Sequence, residues 1–415
     1  MALELAKPPI SRDQNETMPF GNCLDSPAVE RALTQVEGLD DPLAVATRLR
    51  ASLPIPLARA AAGLHDLRAR ARGSALDQDL RFLTAKGLQQ ATAGAVAAYR
   101  AQRICEFAPD SLIWDATAGI GADSLALLRR DLRVVTSDLD TQTLACAASN
   151  LAHLRAANWV LRADATRPPC RVDVILLDPD RRPHGTREGH PERWSPPMST
   201  CLGLARGNKG ACIKLPPGMD PTQLDELGDT PHGLQWISLA GQLRELALWT
   251  GCLAGDLAGE REALILGPAG PLGTFRGTPE ELQPLEPGQL QSVKWLAEPD
   301  PAVIRAGLVG PLAREQGMRP IGPRLAYLGS DERPSSPMLR SWRVLETSAL
   351  DPKRVRAMLR RHNVGPLTVK KRGHPDDAQT LARRFKGPGE RHGLLAVARL
   401  EKGHGALLLE VPAET

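Results

Sequence analysis

The stretch Leu112–Arg130, LIWDATAGIGADSLALLRR, decides the fold. A short apolar strand is predicted to end in Asp115, the chain then turns through two glycines, and a helix follows. Such a turn lets backbone amides approach a ligand closely, at the edge of an open α/β sheet where ligands bind. We therefore predict a nucleotide-like ligand at the residues around the turn. These residues are Asp115, Thr117, Ala118, Gly119 and Gly121.

The chemistry of this turn argues against a dinucleotide. The dinucleotide fingerprint would place a third glycine at position 124, where the chain has Ser124. It would also require no acid before the turn. Asp115 instead suits a ligand that carries cationic amino and sulfonium groups, which a pyrophosphate pocket would repel.

Three further strand segments also end in an acid. RVVTSD ends at Asp138, WVLRA is followed by Asp164, and VDVILL is followed by Asp178. Asp138 is placed to accept hydrogen bonds from the ribose hydroxyls of a nucleoside, and Asp164 to accept one from an adenine amino group. The adjacent Leu139 and Ala163 are further cofactor-binding candidates. A single such Asp also fits a helix cap or a turn. Four acids at the ends of four successive strand segments, one of them directly before the glycine turn, favour a binding site over separate caps or turns.

The 415 residues suggest two or three domains. Seven short apolar segments between Ser111 and Gly267 alternate with helical stretches, which predicts an α/β fold with a mostly parallel, seven-stranded, Rossmann-like sheet. Pro- and Gly-rich residues 267–288 are interpreted as a linker. The predicted domains are a mobile leader (1–29), a helical N-terminal region (30–108), the sheet domain (109–288) and a small, basic α+β domain (289–415).

Composition excludes several other classes. Hydrophobic residues make up 42% and charged residues 24% of the chain, as in ordinary globular proteins. The seven cysteines show neither Cys-x-x-Cys spacing nor histidines at ligand spacing, so no disulfide framework and no metal are predicted. No apolar run approaches the roughly 20 residues of a membrane span, and the N-terminus lacks a secretory signal. We expect no membrane contact and a cytoplasmic location.

The net charge of +4 hides a basic segment. Residues 351–391 hold twelve Lys and Arg against four Asp and Glu, whereas the remainder of the chain is net negative. A local basic surface favours a polyanionic partner, here RNA. The residues expected to contact its phosphates are Arg356, Arg360, Lys370, Lys371 and Arg372. The alternative is a solvated helix that only covers its own domain.

Together these motifs, from Ser111 to about Gly267, resemble the class I S-adenosylmethionine-dependent methyltransferases. The resemblance implies S-adenosylmethionine as cofactor, bound by the acids and the turn described above. A narrower resemblance, over nearly the whole chain, is to bacterial methyltransferases with a C-terminal THUMP-like domain. It rests on RFLTAKGLQQAT (81–92), LDPDRRP (177–183), WSPP (194–197), IKLPPGMD (213–220), LRELALWTG (243–251), EPDPAVIRAGLV (298–309) and VKKRG (369–373).

The family's active-site tetrapeptide falls on Asp178-Pro179-Asp180-Arg181. By the resemblance, Asp178 orients a target amine beside the cofactor, whereas Asp180 departs from the Asp-Pro-Pro version of the motif. Trp194 either stacks on a base or packs beside the neighbouring prolines. The catalytic candidates are Asp178, Pro179 and Asp180, and the substrate-binding candidates nearby are Arg181, Arg182 and Trp194.

The resulting prediction is a methyltransferase that modifies a base nitrogen of rRNA or tRNA. Two alternatives stay open. One is a methyltransferase that acts on a protein or a small molecule, and the other is a noncatalytic protein that binds S-adenosylmethionine or RNA. The sequence gives no oligomeric state.

Overall fold

The computed structural model describes residues 24–183, 185, 186, 188–222, 224, 228–286 and 288–411. The chain divides into two compact units, Met1–Leu204 and Ala205–Thr415. Residues 1–23 of the predicted leader lie outside the described residues. The domain boundaries derived from the sequence stay predictions.

Five helices open the first unit, as the apolar spacing predicted. They are α1 (Pro27–Thr34), α2 (Pro42–Ser52), α3 (Ile55–Ala71), α4 (Ala85–Gln90) and α5 (Gly94–Phe107). Helix α1 begins inside the predicted leader, because the Ser26 side chain accepts a hydrogen bond from the Val29 amide and Val29 is buried. Residues 27–29, which the sequence assigns to the leader, are therefore helical in this structure. Pro54 separates α2 from α3, as expected.

The strands of the first unit form a parallel sheet. These are β1 (Leu112–Asp115), β2 (Arg133–Asp138), β3 (Asn158–Arg162) and β4 (Val174–Leu177). Their order is β3-β2-β1-β4. Helices α6 (Ala122–Leu128) and α7 (Thr141–Leu151) connect them, and the unit boundary falls within α8 (Met198–Arg206). This is the doubly wound arrangement that the sequence predicted, with every strand aligned in one direction.

The second unit begins with strands of mixed direction. They are β5 (Gly210–Leu215), β6 (His232–Leu239), β7 (Gln242–Gly251), β8 (Arg261–Gly267) and β9 (Gly270–Gly277), in the order β5-β7-β6-β8-β9. Only β6 and β8 pair in parallel. All seven predicted strand segments are strands, but β7 and β9 were not predicted. The interpretation of 267–288 as a linker is wrong for 270–277, because those residues pair with β8.

A separate sheet closes the chain. Its strands are β10 (Trp295–Pro299), β11 (Arg319–Pro320), β12 (Leu328–Ser330), β13 (Leu339–Ala349), β14 (Val364–Arg372), β15 (Arg391–Arg399) and β16 (His404–Leu409). Their order is β11-β12-β10-β13-β16-β15-β14. The helices are α9 (Pro301–Ala306), α10 (Val309–Glu315), α11 (Pro352–Arg361) and α12 (Ala378–Phe385). This confirms the α+β character of the C-terminal part.

The two faces of this sheet have separate apolar cores. Helices α11 and α12 pack on one face through side chains such as Leu359 and Phe385. Trp342 and Tyr327 belong to the core on the other face. Residues 301–315 are divided into α9 and α10, because Gly307 adopts a left-handed conformation (φ 76°) and ends α9.

None of the helices within the described residues combines the length and the apolar character that a membrane span requires.

Candidate active site

The parallel strands of the first unit bring the predicted acids to one edge of the sheet. Asp115 aligns with Thr136 of β2 and with Leu176 of β4. Asp138 ends β2, and Asp178 directly follows β4. Because the carboxyl ends of parallel strands meet at the same edge, the first unit forms the crevice in which α/β proteins bind nucleotides.

The glycine turn after β1 has the backbone conformation that only glycine adopts readily. Gly119 (φ 57°) and Gly121 (φ 88°) both lie in the left-handed region. A Cβ atom on Gly121 would come within 3.3 Å of Ala147, so glycine lets the turn pack closely against α7. A Cβ on Gly119 would meet no atom within 4 Å, so that side of the turn is open. This open side fits a bound cofactor.

Asp115, at the start of the turn, is enclosed by the protein. Its side chain is buried and accepts a hydrogen bond of 2.6 Å from the Ser124 hydroxyl. Burial, together with the negative charge of Asp123, raises the pKa of Asp115 to about 7. In this structure Asp115 therefore bonds to Ser124 of α6, and its expected direct contact with the cofactor stays a prediction.

The end of β2 presents both a carboxylate and an apolar side chain. The Asp138 carboxylate accepts the amides of Gly119 and Asp140, each at 2.9 Å, and so connects β2 to the glycine turn. Leu139 is 54% exposed, which is unusual for leucine and leaves it available to pack against an adenine ring. This pairing fits the ribose and adenine of the expected cofactor.

Asp164, beyond the end of β3, is exposed. Its Oδ1 atom accepts hydrogen bonds from both the amide and the hydroxyl of Thr166, at 2.9 Å each. These bonds hold the pKa of Asp164 below its usual value. Asp164 is thus an ionised acceptor, flanked by the half-buried Ala163. Their contact with adenine stays a prediction.

A threonine joins the cofactor turn to the predicted catalytic tetrapeptide. The amide of Asp178 donates a hydrogen bond of 2.6 Å to the Thr117 hydroxyl. Many members of the resembled family have glycine at this position, which could not form the bond. Asp178 is half-buried and Pro179 is buried. Thr117 therefore fixes the start of the tetrapeptide against the turn.

The residues after Pro179 form a loop closed by backbone hydrogen bonds. The amide of Asp180 donates to the carbonyl of Ser195 (2.8 Å), and the amide of Ser195 donates to the carbonyl of Asp180 (3.0 Å). Within the loop Arg181 is half-buried, whereas Arg182 is exposed. The binding of substrate by these two arginines stays a prediction.

Trp194 does not present a ring face for stacking. It is only 5% exposed, and its indole N–H donates to the carbonyl of Glu188 at 3.1 Å. Of the two predicted roles, packing is therefore the one seen in this structure.

Sequence reasoning missed the part of the N-terminal region that borders this site. The side-chain amide of Asn150 donates to the carbonyls of Phe82 and Ile120, at 2.9 and 3.0 Å. A Cβ on Gly87 would meet Ile120 at 2.4 Å, so α4 rests directly on the glycine turn. Lys86, on α4, reaches Asp180 at 2.8 Å. No spacing rule predicts a contact between residues so far apart in the chain.

The predicted RNA-contact residues of the second unit fall into two groups. Arg356, Arg360 and Lys371 are exposed. Lys370 and Arg372 are half-buried, and both form ion pairs with Glu298, at 2.7 and 2.6 Å. The charge of Glu298 therefore offsets part of the charge of Lys370 and Arg372, and the RNA contacts of all five residues stay a prediction.

No cluster of three or more possible metal ligands occurs among the residues that the structure describes. What the edge offers is a set of hydrogen-bond acceptors, an exposed leucine and an open glycine turn.

Known proteins similar to this chain share this architecture. Two curated proteins of Mycobacterium tuberculosis are each 35% identical over 322 residues, which is 78% of this chain and 86% of theirs, and both are described as uncharacterized S-adenosylmethionine-dependent methyltransferases. The chain belongs to the S-adenosylmethionine-dependent methyltransferases. This confirms the resemblance, the enzyme class and the cofactor predicted from the glycine turn.

Two further comparisons describe the fold of this methyltransferase. Residues 339–410 match the family model described as THUMP domain-like, which covers β13 to β16 with α11 and α12. A solved structure of a candidate methyltransferase from Porphyromonas gingivalis has a TM-score of 0.71 at 17% identity and covers 93% of this chain and 98% of its own. The α/β methyltransferase fold with a distinct C-terminal domain is thus confirmed.

Asp138 gives the first test of how this methyltransferase holds its cofactor. We expect Asp138→Ala to weaken S-adenosylmethionine binding by about 1.5 to 3 kcal/mol, because it removes a charged acceptor and releases the Gly119 amide. Calorimetry measures the change. Asp41→Ala is the matched control, because Asp41 also accepts two backbone amides, but at the start of α2. Equal affinities of the Asp138 variant and the parent would contradict the assignment.

Proposed function

We propose that this methyltransferase transfers a methyl group to a base nitrogen of RNA. S-adenosylmethionine supplies an activated methyl group, so the protein has to align the target nitrogen rather than provide a covalent nucleophile. Asp178 is suited to this task, because it follows β4 directly and its amide is held against the cofactor turn by Thr117. A carboxylate at that point can accept a hydrogen bond from an amine.

The observation that carries the RNA proposal is the surface of α11 and α12. Every basic side chain of α11 is exposed, whereas Val355, Met358 and Leu359 are buried against the sheet. The guanidinium of Arg356 donates to the carbonyl of Arg384, so α12 adds its basic residues beside those of α11. The basic surface consists of Lys353, Arg354, Arg356, Arg360, Arg361, Arg383 and Arg384, of which Arg361 and Arg384 also form ion pairs, with Glu346 and Asp376.

This basic surface is suited to contact phosphates rather than to stack on bases. The aromatic residue of α12, Phe385, is buried, so neither helix offers an exposed ring for stacking. Contacts through Lys and Arg alone position a nucleic acid without reading its sequence. The target nucleotide is then selected at the methyl-transfer site.

The deciding experiment uses RNA from a strain that lacks this gene. The purified protein is incubated with that RNA and methyl-labelled S-adenosylmethionine, and the nucleosides are analysed by mass spectrometry. We expect one base-methylated nucleoside that is absent from the deletion strain and present in the parent strain. Label that enters only protein or small molecules would refute the proposal.

Salt dependence tests the basic surface itself. A variant with Lys353, Arg356, Arg360 and Arg383 replaced by Gln should flatten the log–log slope of RNA affinity against salt by about 3, since each phosphate contact with a single strand contributes about 0.7. Fluorescence anisotropy over a salt series measures the slope.

The control for that variant removes the same charge elsewhere. Arg31, Arg48, Arg50 and Arg59 are also exposed, on α1, α2 and α3. Their replacement by Gln should leave the slope close to that of the parent. If both quadruple variants change the slope equally, net charge rather than the basic surface controls binding.

A further inference from the structure

One cation of the N-terminal region lies at the methyl-transfer site without an assigned role. The Nζ atom of Lys86 is 2.8 Å from Oδ2 of Asp180, across 94 positions of the chain. The same ammonium interacts electrostatically with Asp138 and Asp140 at the end of β2. Lys86 therefore connects the predicted ribose-binding strand end with the loop that follows the catalytic tetrapeptide.

The position of Lys86 is determined by several independent contacts. Thr84 caps α4 by accepting the amide of Gly87 at 2.9 Å. Close packing of Gly87 on Ile120 leaves no room for a side chain, so α4 cannot slide along the glycine turn. At the far end, Thr92 donates to Asp123 of α6 at 2.7 Å. Helix α4 is thus packed on the cofactor turn through Gly87, and the residue Thr92 that follows it is bonded to α6.

The Asp180 carboxylate is also held by several contacts. Its Oδ2 atom faces Lys86, while its Oδ1 atom accepts the amide of Arg182 at 2.9 Å. Its backbone forms both hydrogen bonds with Ser195 that close the loop. Burial opposes ionisation, but the bonds to Lys86 and Arg182 outweigh it and hold the pKa of Asp180 below its usual value. Asp180 therefore stays ionised and well placed.

We propose that Lys86 is a positioning residue for methyl transfer: it holds the Asp180 carboxylate and thereby fixes the loop from Asp180 to Ser195 beside the carboxyl end of β4. The loop follows Asp178 and Pro179 directly, so its placement sets where a methyl acceptor can lie. A surface ion pair of this exposure contributes little to global stability. Its effect should appear in turnover and in loop order instead.

Lys86→Met tests this directly. We expect turnover to fall about tenfold, which corresponds to the lower end of the range for the loss of one charge-assisted hydrogen bond. Affinity for S-adenosylmethionine should not weaken, because a cation beside Asp138 is removed and the cofactor is itself cationic. Lys86→Arg should restore most of the turnover. A uniform loss of affinity and turnover, unrelieved by arginine, would overturn the proposal.

A second measurement needs no methyl acceptor. Hydrogen exchange at the amides of Asp180 and Ser195 should be about three- to fivefold faster in Lys86→Met, since both amides are bonded across the loop. In an Asp180→Asn background the same substitution should have no further effect on exchange or turnover. An equal effect in both backgrounds would show that Lys86 does not act through Asp180.

The matched control is Arg81→Met. Arg81 pairs with Glu30 at 3.0 Å, with side-chain exposures of 58% and 28%, close to the 63% and 23% of Lys86 and Asp180. It should leave loop exchange and turnover unchanged. Turnover is measured with RNA from the deletion strain. If that RNA accepts no methyl group from the parent protein, the RNA proposal fails, while the exchange and double-variant data still decide the role of Lys86.

Discussion

Asp178→Ala is expected to lower the turnover of methyl transfer by about 10²- to 10⁴-fold, the range for loss of a group that handles a proton in the reaction. In the proposed reaction the target nitrogen would attack the methyl carbon, the bond from carbon to sulfur would break with its electrons passing to sulfur, and the nitrogen would pass its proton to the Asp178 carboxylate. A carboxylate at Asp178 can accept the hydrogen bond of that N–H before the attack. Single-turnover kinetics with the deletion-strain RNA measures the loss.

Affinity and turnover separate the possible roles of Asp178. The residue is predicted to contact the cofactor as well as the acceptor, and its amide is bonded to Thr117, a contact that alanine retains. S-adenosylmethionine affinity should therefore change by less than about threefold, well under the value of one hydrogen bond to a charged group. Asp178→Asn keeps an acceptor oxygen and should recover part of the turnover. Equal losses in affinity and turnover would place Asp178 in the cofactor site alone.

Local patterns were sufficient wherever a segment's own composition determines its structure. The strands that end at Asp115 and Asp138 lie where the short apolar segments predicted them. The sequence did not predict strand β9, because the glycines and prolines of that segment, taken alone, indicate a loop. There the neighbouring strand β8 supplies the hydrogen bonds, and this pairing is not visible in the segment itself.

Contacts between distant segments could not be predicted in the same way. The sequence shows Lys370 and Arg372 as part of a basic run, but their charge is shared with Glu298, more than 70 positions away. Trp194 similarly has a stacking role only if its ring is exposed, and burial depends on how the whole loop closes. The positions of Asp115 and Asp138 were predictable because each ends a strand, whereas their bonding partners were not.

The buried carboxyl group of Asp115 should make the stability of the protein depend on pH. Its pKa of about 7 lies above the ordinary value of 3.8, so the folded state holds a proton that the unfolded state releases between these values. Stability from this group is fully present below about pH 4 and is lost as the pH rises through 7. Between pH 5 and 8 the loss amounts to about 2 to 3 kcal/mol for one such group.

Asp115→Asn isolates this contribution. Asparagine keeps an oxygen that can accept a hydrogen bond from the Ser124 hydroxyl, but it does not titrate. The free energy of unfolding should therefore decline between pH 5 and 8 by about 2 to 3 kcal/mol less in the variant than in the parent. Urea unfolding at both pH values measures the difference, and any constant cost of the buried amide cancels. Ser124→Ala removes a bond that favours the ionised form and should move the decline to higher pH. A parent-like decline in Asp115→Asn would show that Asp115 is already ionised at pH 5, and that the turn is supported by a buried charge.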